Sequence, residues 1–402
     1  MQLILRRFNA FTLLGLLIFT WFFIRNDGLR TDEVVHFRQI IQFVGGNFAQ
    51  DPALTTLPGY HWLMALILKI TGSESMGLLR GINVLLGGAS ILLFVQCYRL
   101  LNLGDTRERL LQFAVFPIIF PFFFVIYTDI ASLFLTVLGL WLCLKQRYIP
   151  AVLVLMLGVA VRQTNVIWML AIPALTWLQQ THYDISRQNV LAFARRCWQL
   201  GLGLLAFATF VLLNQGVAMG DRSMHPPFAL NAGNVFFMLF VYSLLLLPII
   251  IERSKENIRF ALAHQHVALL LALLLAVYLF TFQNSHPYNH INPNYFIRNW
   301  FLVTFTAGLP LKMLFFIPIV LAVLDLARAM TERPALILIV LASVLTLLPS
   351  WLIEQRYYIT SFMLILLFRP SCSQRTEQIM SLMCALLSVL LIYGIQQNLF
   401  FI

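Results

Sequence analysis

The chain is short of charge. Asp, Glu, Lys and Arg make up 11% of its 402 residues and apolar types 60%, whereas ordinary soluble domains are about 25% charged. That balance excludes a single water-facing globule and points to an integral membrane protein. Cysteine is scarce as well, with five in all, and no His and Cys spacing matches a zinc site. There is no Asp-x-Asp pair of the kind that holds a nucleotide-sugar metal, and no Asn-x-Ser/Thr sequon. Low-complexity segments, internal repeats and a separable soluble domain are also missing.

What is present is a series of long apolar runs, among them "FNAFTLLGLLIFTWFFI" from Phe8 and "LLRGINVLLGGASILLFV" from Leu78. At about 17 to 25 residues these have the length a helix needs to cross hydrocarbon, and roughly eleven to thirteen such spans are expected. The first follows Arg6 and Arg7 but ends "WFFIRNDG", without a small-residue cleavage site, so it reads as an uncleaved anchor.

The net charge of +11 does not gather into a nucleic-acid-binding patch. The basic residues sit in alternate connections: Arg6 and Arg7; Arg99, Arg107 and Arg109; Lys145 and Arg147; Arg187, Arg195 and Arg196; and then Arg253, Lys255, Arg259, Arg328, Arg333, Arg369 and Arg375. These are roughly two-thirds of all Lys and Arg, which by the positive-inside rule puts their connections and the N-terminus in the cytoplasm. Cys97, Cys143, Cys197 and Cys372 then fall at cytoplasmic ends and Cys384 in the last span, so five free thiols are expected.

The other connections face outward and hold most of the polar chemistry. They are residues 26–61, "YTD" (127–129), "RQTN" (162–165), "GDRSMHPP" (220–227), "NSHPYNHINPNYFIRNW" (284–300) and "EQRYY" (354–358). A charge at membrane depth costs roughly 2.5 to 3.5 kcal/mol on insertion scales, so "RQTN" and "YTD" are expected to line a wet cavity. In the first outer connection Val34, Val35, Phe37, Ile40, Ile41 and Phe43 form an apolar stripe suited to an interfacial helix, with Thr31 or Asp32 as its cap and "GGN" as its stop. "DPALTTLPG" is a turn-rich link, and "YHWLMALILKI" after it is too short to span comfortably.

"TDEVVH" places Asp32 and Glu33 beside His36. Such a pair has an ordinary use, capping a helix and pairing with Arg30 or Arg38. It also has a chemical one, because an ionised carboxylate can take the proton of a hydroxyl acceptor, worth roughly 10²- to 10⁴-fold in rate. Arg162, inside "VLMLGVAVRQTNVIWMLAI", is costly as a purely structural residue and suits ligand contact. Arg222, Arg298 and Arg356 stand beside His225, His286 or Tyr357 and have the planar fork that grips phosphate. Their ordinary alternatives are snorkelling and pairing, Arg222 with Asp221 and Arg356 with Glu354. An external site of this kind needs a donor on that side. A polyprenyl-phosphate sugar fits, its tail in the bilayer and its phosphate at the interface.

In this order, "TDEVVHFRQ", "DPALTTLPG", "FFFVIYTD", "RQTNVIW", "GDRSMH", "SHPY" and "EQRYYI" resemble the DIE2 family of dolichyl-phosphate-glucose-dependent alpha-1,2-glucosyltransferases, over about residues 29–368. The resemblance implies an all-α polytopic GT-C fold in one multi-pass domain over 1–402, with a catalytic first outer loop at about 25–75. It implies inverting transfer of a hexose, glucose in the family, to a lipid-linked oligosaccharide or envelope glycan. Asp32 is then the base, and Glu33 and His36 orient it or bind the acceptor. Arg162, Arg222 and Arg356 become donor contacts, and Asp129, Gln163, Asn165, Asp221, His225, His286 and Glu354 complete the expected substrate site. No cofactor is expected, and membrane lipids are the surroundings. The connection after "SHPY", Gln50 before "DP", the compact loops and the missing sequon depart from eukaryotic members and suggest a bacterial inner-membrane relative. Another GT-C sugar transferase, or a transporter or flippase of lipid-linked sugars, is the alternative; transporters usually place such groups at the midplane of two related halves.

Overall fold

The computed structural model describes residues 10–104, 107–226 and 230–402. Arg6, Arg7 and the start of the first apolar run lie outside the described residues, as does Pro227 at the end of "GDRSMHPP". Among the described residues all regular structure is helical and no strand occurs. The described residues gather into two compact units, one from those up to Ala114 plus 120–226, the other from Val115–Ile119 plus 230–402.

The first unit contains α1 (Ala10–Ile24), α2 (Glu33–Val44), α3 (Gly59–Thr71), α4 (Met76–Leu100), α5 (Arg107–Ala114), α6 (Thr128–Leu144), α7 (Tyr148–Val161), α8 (Asn165–Gln180), α9 (Arg187–Arg196) and α10 (Gln199–Asn214). Its centre is apolar, with Ile40 and Phe43 from α2, Tyr60, Met64 and Leu68 from α3, Leu79 from α4 and Ile126 before α6 all buried together. Only a glycine fits where α3 crosses α7, because a Cβ on Gly59 would lie 2.6 Å from the backbone oxygen of Ala160. The Trp21 indole N–H donates to the Gly77 carbonyl at 2.9 Å and ties α1 to α4.

The second unit contains α11 (Gly233–Leu245), α12 (Leu247–Ala263), α13 (Gln265–Thr281), α14 (Ile297–Thr306), α15 (Leu309–Glu332), α16 (Ala335–Leu347), α17 (Ile359–Phe368) and α18 (Gln374–Gln396). Aromatic packing joins α11, α13 and α15: the Phe240 and Phe315 rings stack at 4.4 Å, and Phe282, just past α13, stacks on Phe315 at 5.2 Å.

The protein is an all-α polytopic membrane protein. Its spans are fewer by length than the eleven to thirteen expected. Three described helices, α4, α15 and α18, are long and apolar enough to cross a bilayer, or five spans if the bent pairs α9–α10 (65°) and α11–α12 (97°) each count as one. Five further apolar helices among the described residues are shorter, within 10–17 residues. At about 1.5 Å per residue they reach roughly 15 to 26 Å, short of the ~30 Å hydrocarbon core. Irregular backbone therefore occurs where the apolar runs alone predicted helix, and it is tolerated because protein groups rather than lipid satisfy its N–H and C=O groups. All five cysteines are free thiols, and four of them are buried.

Candidate active site

Helix α2 carries the two acids of the first outer connection, and the structure gives them opposite environments. Glu33 is fully buried. Its Oε1 accepts from Arg80 Nε at 3.1 Å and from the Ile126 amide at 2.8 Å, and its Oε2 accepts from Arg80 Nη2 at 2.8 Å and from the Arg30 amide at 3.0 Å. Four donors consume this carboxylate. Arg80, itself 2% exposed, reaches further and donates from Nη1 to the carbonyls of Ile24 at 2.9 Å and Asp27 at 2.8 Å, and from Nη2 to Gly28 at 3.2 Å. It thus satisfies carbonyls that the end of α1 leaves without helical partners. The pair knits α1, α2, α4 and the segment before α6 into one frame.

Asp32 is exposed, at the N-cap position of α2, with no side-chain capping bond. Capping needs an extended backbone so that the carboxylate can fold back onto the next amides. Asp32 is instead helical, at φ −69° and ψ −14°, because the preceding Thr31 has φ +48°. A β-branched residue in the left-handed region costs about 1–2 kcal/mol. The Tyr127 hydroxyl holds this turn, accepting from the Asp32 amide at 3.1 Å and bonding Thr31 Oγ1. The capping role expected for Thr31 or Asp32 is therefore not realised.

The buried face of α2 also differs from the expected stripe. It consists of Glu33, His36, Gln39, Ile40 and Phe43, while Val34 is exposed. Polar side chains face inward because partners wait for each. His36 Nδ1 and His61 Nε2 share a proton at 2.8 Å with their rings stacked, and burial, with His36 beside it, holds the His61 pKa well below the usual imidazole value. His61 therefore stays neutral. Gln39 accepts from the Asp51 amide and donates to the Ala49 carbonyl at 3.0 Å. Arg38 turns away from Asp32 and Glu33 and pairs with Asp51 at 2.6 Å. Burial raises the Asp51 carboxyl, but the bonds from Arg38 and the Ala53 amide outweigh it and leave the group below the usual carboxylate range.

"YTD" and "RQTN" meet within this unit. Asp129, in the first turn of α6, pairs with Arg162, the residue that ends α7 in extended conformation; Asp129 Oδ2 is buried without a protein partner. Asn165 Nδ2 donates to Ser132 Oγ and the Gly158 carbonyl, both at 2.8 Å. Gln163 Nε2 donates to the carbonyls of Thr55 at 2.7 Å and Val217 at 3.0 Å. Gln163 and Asn165 thus brace backbone, whereas Asp129 keeps a buried carboxylate oxygen without a hydrogen-bond partner at the start of α6.

"GDRSMH" clasps the link "DPALTT". The amides of Met219, Gly220 and Asp221 donate to the carbonyls of Thr55, Leu54 and Pro52 at 3.0, 2.8 and 2.7 Å. A Cβ on Gly220 would sit 2.4 Å from the Pro52 oxygen and 2.7 Å from that of Leu54, and backbone cannot move aside as a side-chain tip can. Gly220→Ala is expected to destabilise the protein by about 1–3 kcal/mol, read as a lower thermal midpoint in detergent; an unchanged midpoint would contradict the clasp. Asp221 lies 4.0 Å from His225 rather than pairing with Arg222. Arg222 is exposed and donates to neutral oxygens, Asn214 Oδ1 at 2.6 Å and the Met219 carbonyl at 3.3 Å.

In the second unit Glu354 receives two arginines, Arg298 through Oε1 and Arg356 through Oε2 at 2.9 Å. The Asn234 Oδ1 accepts from the Glu354 amide at 3.1 Å and from the Tyr358 hydroxyl at 3.0 Å. Asn289 and the Ile353 backbone exchange two hydrogen bonds, tying "SHPYNH" to the "EQRYY" connection. His286 caps the short turn Pro287–Asn289, accepting from the Tyr288 amide at 3.1 Å, and its ring lies 4.6 Å from that of Trp351.

The expected site residues thus fall in both units, Asp32, Asp129, Arg162 and Arg222 in the first and His286, Glu354 and Arg356 in the second; the structure pairs Asp129 with Arg162, Asp221 with His225 and Glu354 with Arg356. Arg80, His61 and Tyr127 were absent from the expected set although each holds one of its members, whereas Arg298, expected as a phosphate grip, is instead paired with Glu354. Arg80 had a readable signal, a lone arginine inside an apolar run, the same signal that singled out Arg162. Among the described residues no group of three or more His, Cys, Asp or Glu is placed to hold a metal ion.

Residues 29–367 match the DIE2/ALG10 family. The chain is 25% identical to the human Dol-P-Glc:Glc(2)Man(9)GlcNAc(2)-PP-Dol alpha-1,2-glucosyltransferase, covering 83% of this chain and 82% of that protein. Proteins of the same description from Arabidopsis thaliana and Candida albicans are each 26% identical, over 84% of this chain and 85% and 83% of their own lengths. No solved structure matches the chain. With most of its length matched in this way, the chain belongs to the DIE2/ALG10 family.

Proposed function

We propose that the protein is an inverting GT-C glucosyltransferase that moves glucose from a polyprenyl-phosphate carrier to a hydroxyl of a lipid-linked oligosaccharide, on the non-cytoplasmic side of the membrane. The observation that carries this reading is the contrast between neighbouring acids: Glu33 is consumed by four donors, while Asp32 is exposed and uncapped at the same helix start. Family membership and the activity for which the relatives are named support the substrate class.

The acceptor hydroxyl passes its proton to the Asp32 carboxylate as its oxygen bonds to the anomeric carbon. The bond from that carbon to the phosphate oxygen breaks on the opposite face and inverts the centre. The leaving polyprenyl phosphate gains negative charge, and a guanidinium placed against it stabilises the transition state more than the ground state. Arg222 suits that task best, because its bonds go to neutral oxygens and are exchangeable for phosphate. Arg162, in the same unit, is proposed as a second donor contact, oriented by the carboxylate it shares, and Arg356 of the second unit is held in the same way on Glu354. Asp129, which pairs with Arg162, and Asp221 and His225, beside Arg222 in sequence, are proposed to contact sugar hydroxyls, as is His286 in the second unit. The basic connections support the outward face, and compact outer loops without a sequon support a bacterial inner membrane as host.

Purified protein in lipid nanodiscs, supplied with polyprenyl-phosphate glucose, its mannose counterpart and a lipid-linked oligosaccharide, tests the proposal. Release of free polyprenyl phosphate from the glucose donor, with an alpha-1,2-linked glucose gained by the acceptor, is the expected result. Transfer from the mannose donor only, or flux of lipid-linked sugar across proteoliposomes without transfer, would replace it.

A further inference from the structure

We infer that Tyr127 is a positioning residue for the base: its buried hydroxyl holds the Thr31–Asp32 turn in a backbone state in which the Asp32 carboxylate does not cap the helix end. The inference rests on the reading of Asp32 as base and adds a residue that acts through it.

The geometry supports each step. Tyr127 is 2% exposed, and its ring packs on Phe122 at 5.6 Å and on His36 at 5.3 Å, so the hydroxyl has a fixed position. The segment carrying it is itself anchored to α2, since the Ile126 amide donates to Glu33. From there the hydroxyl accepts the Asp32 amide and bonds Thr31 Oγ1, the two groups on either side of the one peptide whose left-handed residue is β-branched. A Thr-Asp pair at a helix start has an easier alternative, with Thr31 extended and Asp32 folded back to cap α2. In that state the carboxylate is spent on backbone amides and cannot reach a hydroxyl acceptor. The tyrosine hydroxyl outweighs that alternative by supplying a donor and an acceptor that only the left-handed turn can use. His36, itself hydrogen-bonded to and stacked on His61, packs against the ring and helps to fix the phenol.

Tyr127→Phe removes the hydroxyl and keeps the ring. Turnover is expected to fall about 10- to 100-fold while KM for the donor stays within about 2-fold, the signature of a misplaced catalytic group rather than lost binding. The residual activity should also keep its base ionised to lower pH, because a carboxylate on helix-start amides is favoured in its charged form; the acid limb of kcat/KM therefore moves down. A second variant separates positioning from folding. Glycine takes positive φ without cost, so Thr31→Gly combined with Tyr127→Phe should bring turnover back to within about 5-fold of Thr31→Gly alone. Asp32→Asn is measured alongside. If Asp32→Asn is inactive while Tyr127→Phe matches wild type in kcat and in its acid limb, the positioning role is wrong and the base assignment stands. If Asp32→Asn is fully active, the base assignment is wrong. A rise in KM matching the fall in kcat, with no recovery in the double variant, would also overturn the positioning role.

Discussion

Arg80→Met is expected to lower the unfolding free energy by about 3–5 kcal/mol, because it leaves a buried carboxylate without its counter-charge. Glu33 is fully buried and Arg80 2% exposed, so neither can regain water without opening the frame around α1, α2 and α4. The loss is compound. Besides the two bonds to Glu33, Arg80 supports the carbonyls of Ile24, Asp27 and Gly28 that follow α1. Arg80→Lys should recover little, since one ammonium cannot reproduce a planar fork that serves a carboxylate and several carbonyls together. Pairing Arg80→Met with Glu33→Met removes both charges and should restore part of the stability, but the Ile126 and Arg30 amides would still lack their acceptor. Thermal unfolding in detergent, followed by the fraction remaining monodisperse, reads all three. Wild-type stability in Arg80→Met would contradict the frame.

Asp32→Asn should behave in the opposite way. The side chain is exposed and makes no capping bond, so the substitution is expected to change stability by no more than about 0.5 kcal/mol. Turnover should fall by roughly 10²- to 10⁴-fold, the contribution of a general base. Donor affinity should persist, because the phosphate and tail, not the acid, dominate binding of a polyprenyl-phosphate sugar. Equilibrium binding of the donor to the inactive variant, set against single-turnover transfer, separates the two effects.

Much of this was legible from residue order, though not the division of labour. Scarcity of charge and the apolar runs identified a polytopic helical membrane protein, and seven ordered motifs located the family. Apolar periodicity read α2 only in part: Ile40 and Phe43 of the stripe are buried, but Glu33, His36 and Gln39 share that buried face while Val34 is exposed. Periodicity assumes that water is the better home for a polar side chain. That assumption fails where distant residues supply Arg80, His61 and the Asp51 amide, separated from α2 by a loop or a further helix. The number of long spans was overestimated for a related reason. Apolar length marks what tolerates lipid, but a break such as the one at Arg162 occurs where Asp129, from a neighbouring helix, meets the interruption. Gly220 in "GDRSMH" could be flagged as a motif residue, yet its reason, two carbonyls within 2.7 Å of a would-be Cβ, depends on the fold. Asp32 and Glu33 look interchangeable in a row of letters, and what distinguishes them is the Thr31 backbone and the Tyr127 hydroxyl, 96 residues apart.

The most direct test of the account is the rate at which free polyprenyl phosphate is released per folded molecule by wild type, Asp32→Asn and Glu33→Gln in the same nanodiscs. Release is predicted to collapse in Asp32→Asn while that protein stays as well folded as wild type. Glu33→Gln should lose folded protein, and the fraction that folds should keep turning over. Wild-type release from Asp32→Asn, or a stable Glu33→Gln without turnover, would contradict the assignment of chemistry to one acid and architecture to the other.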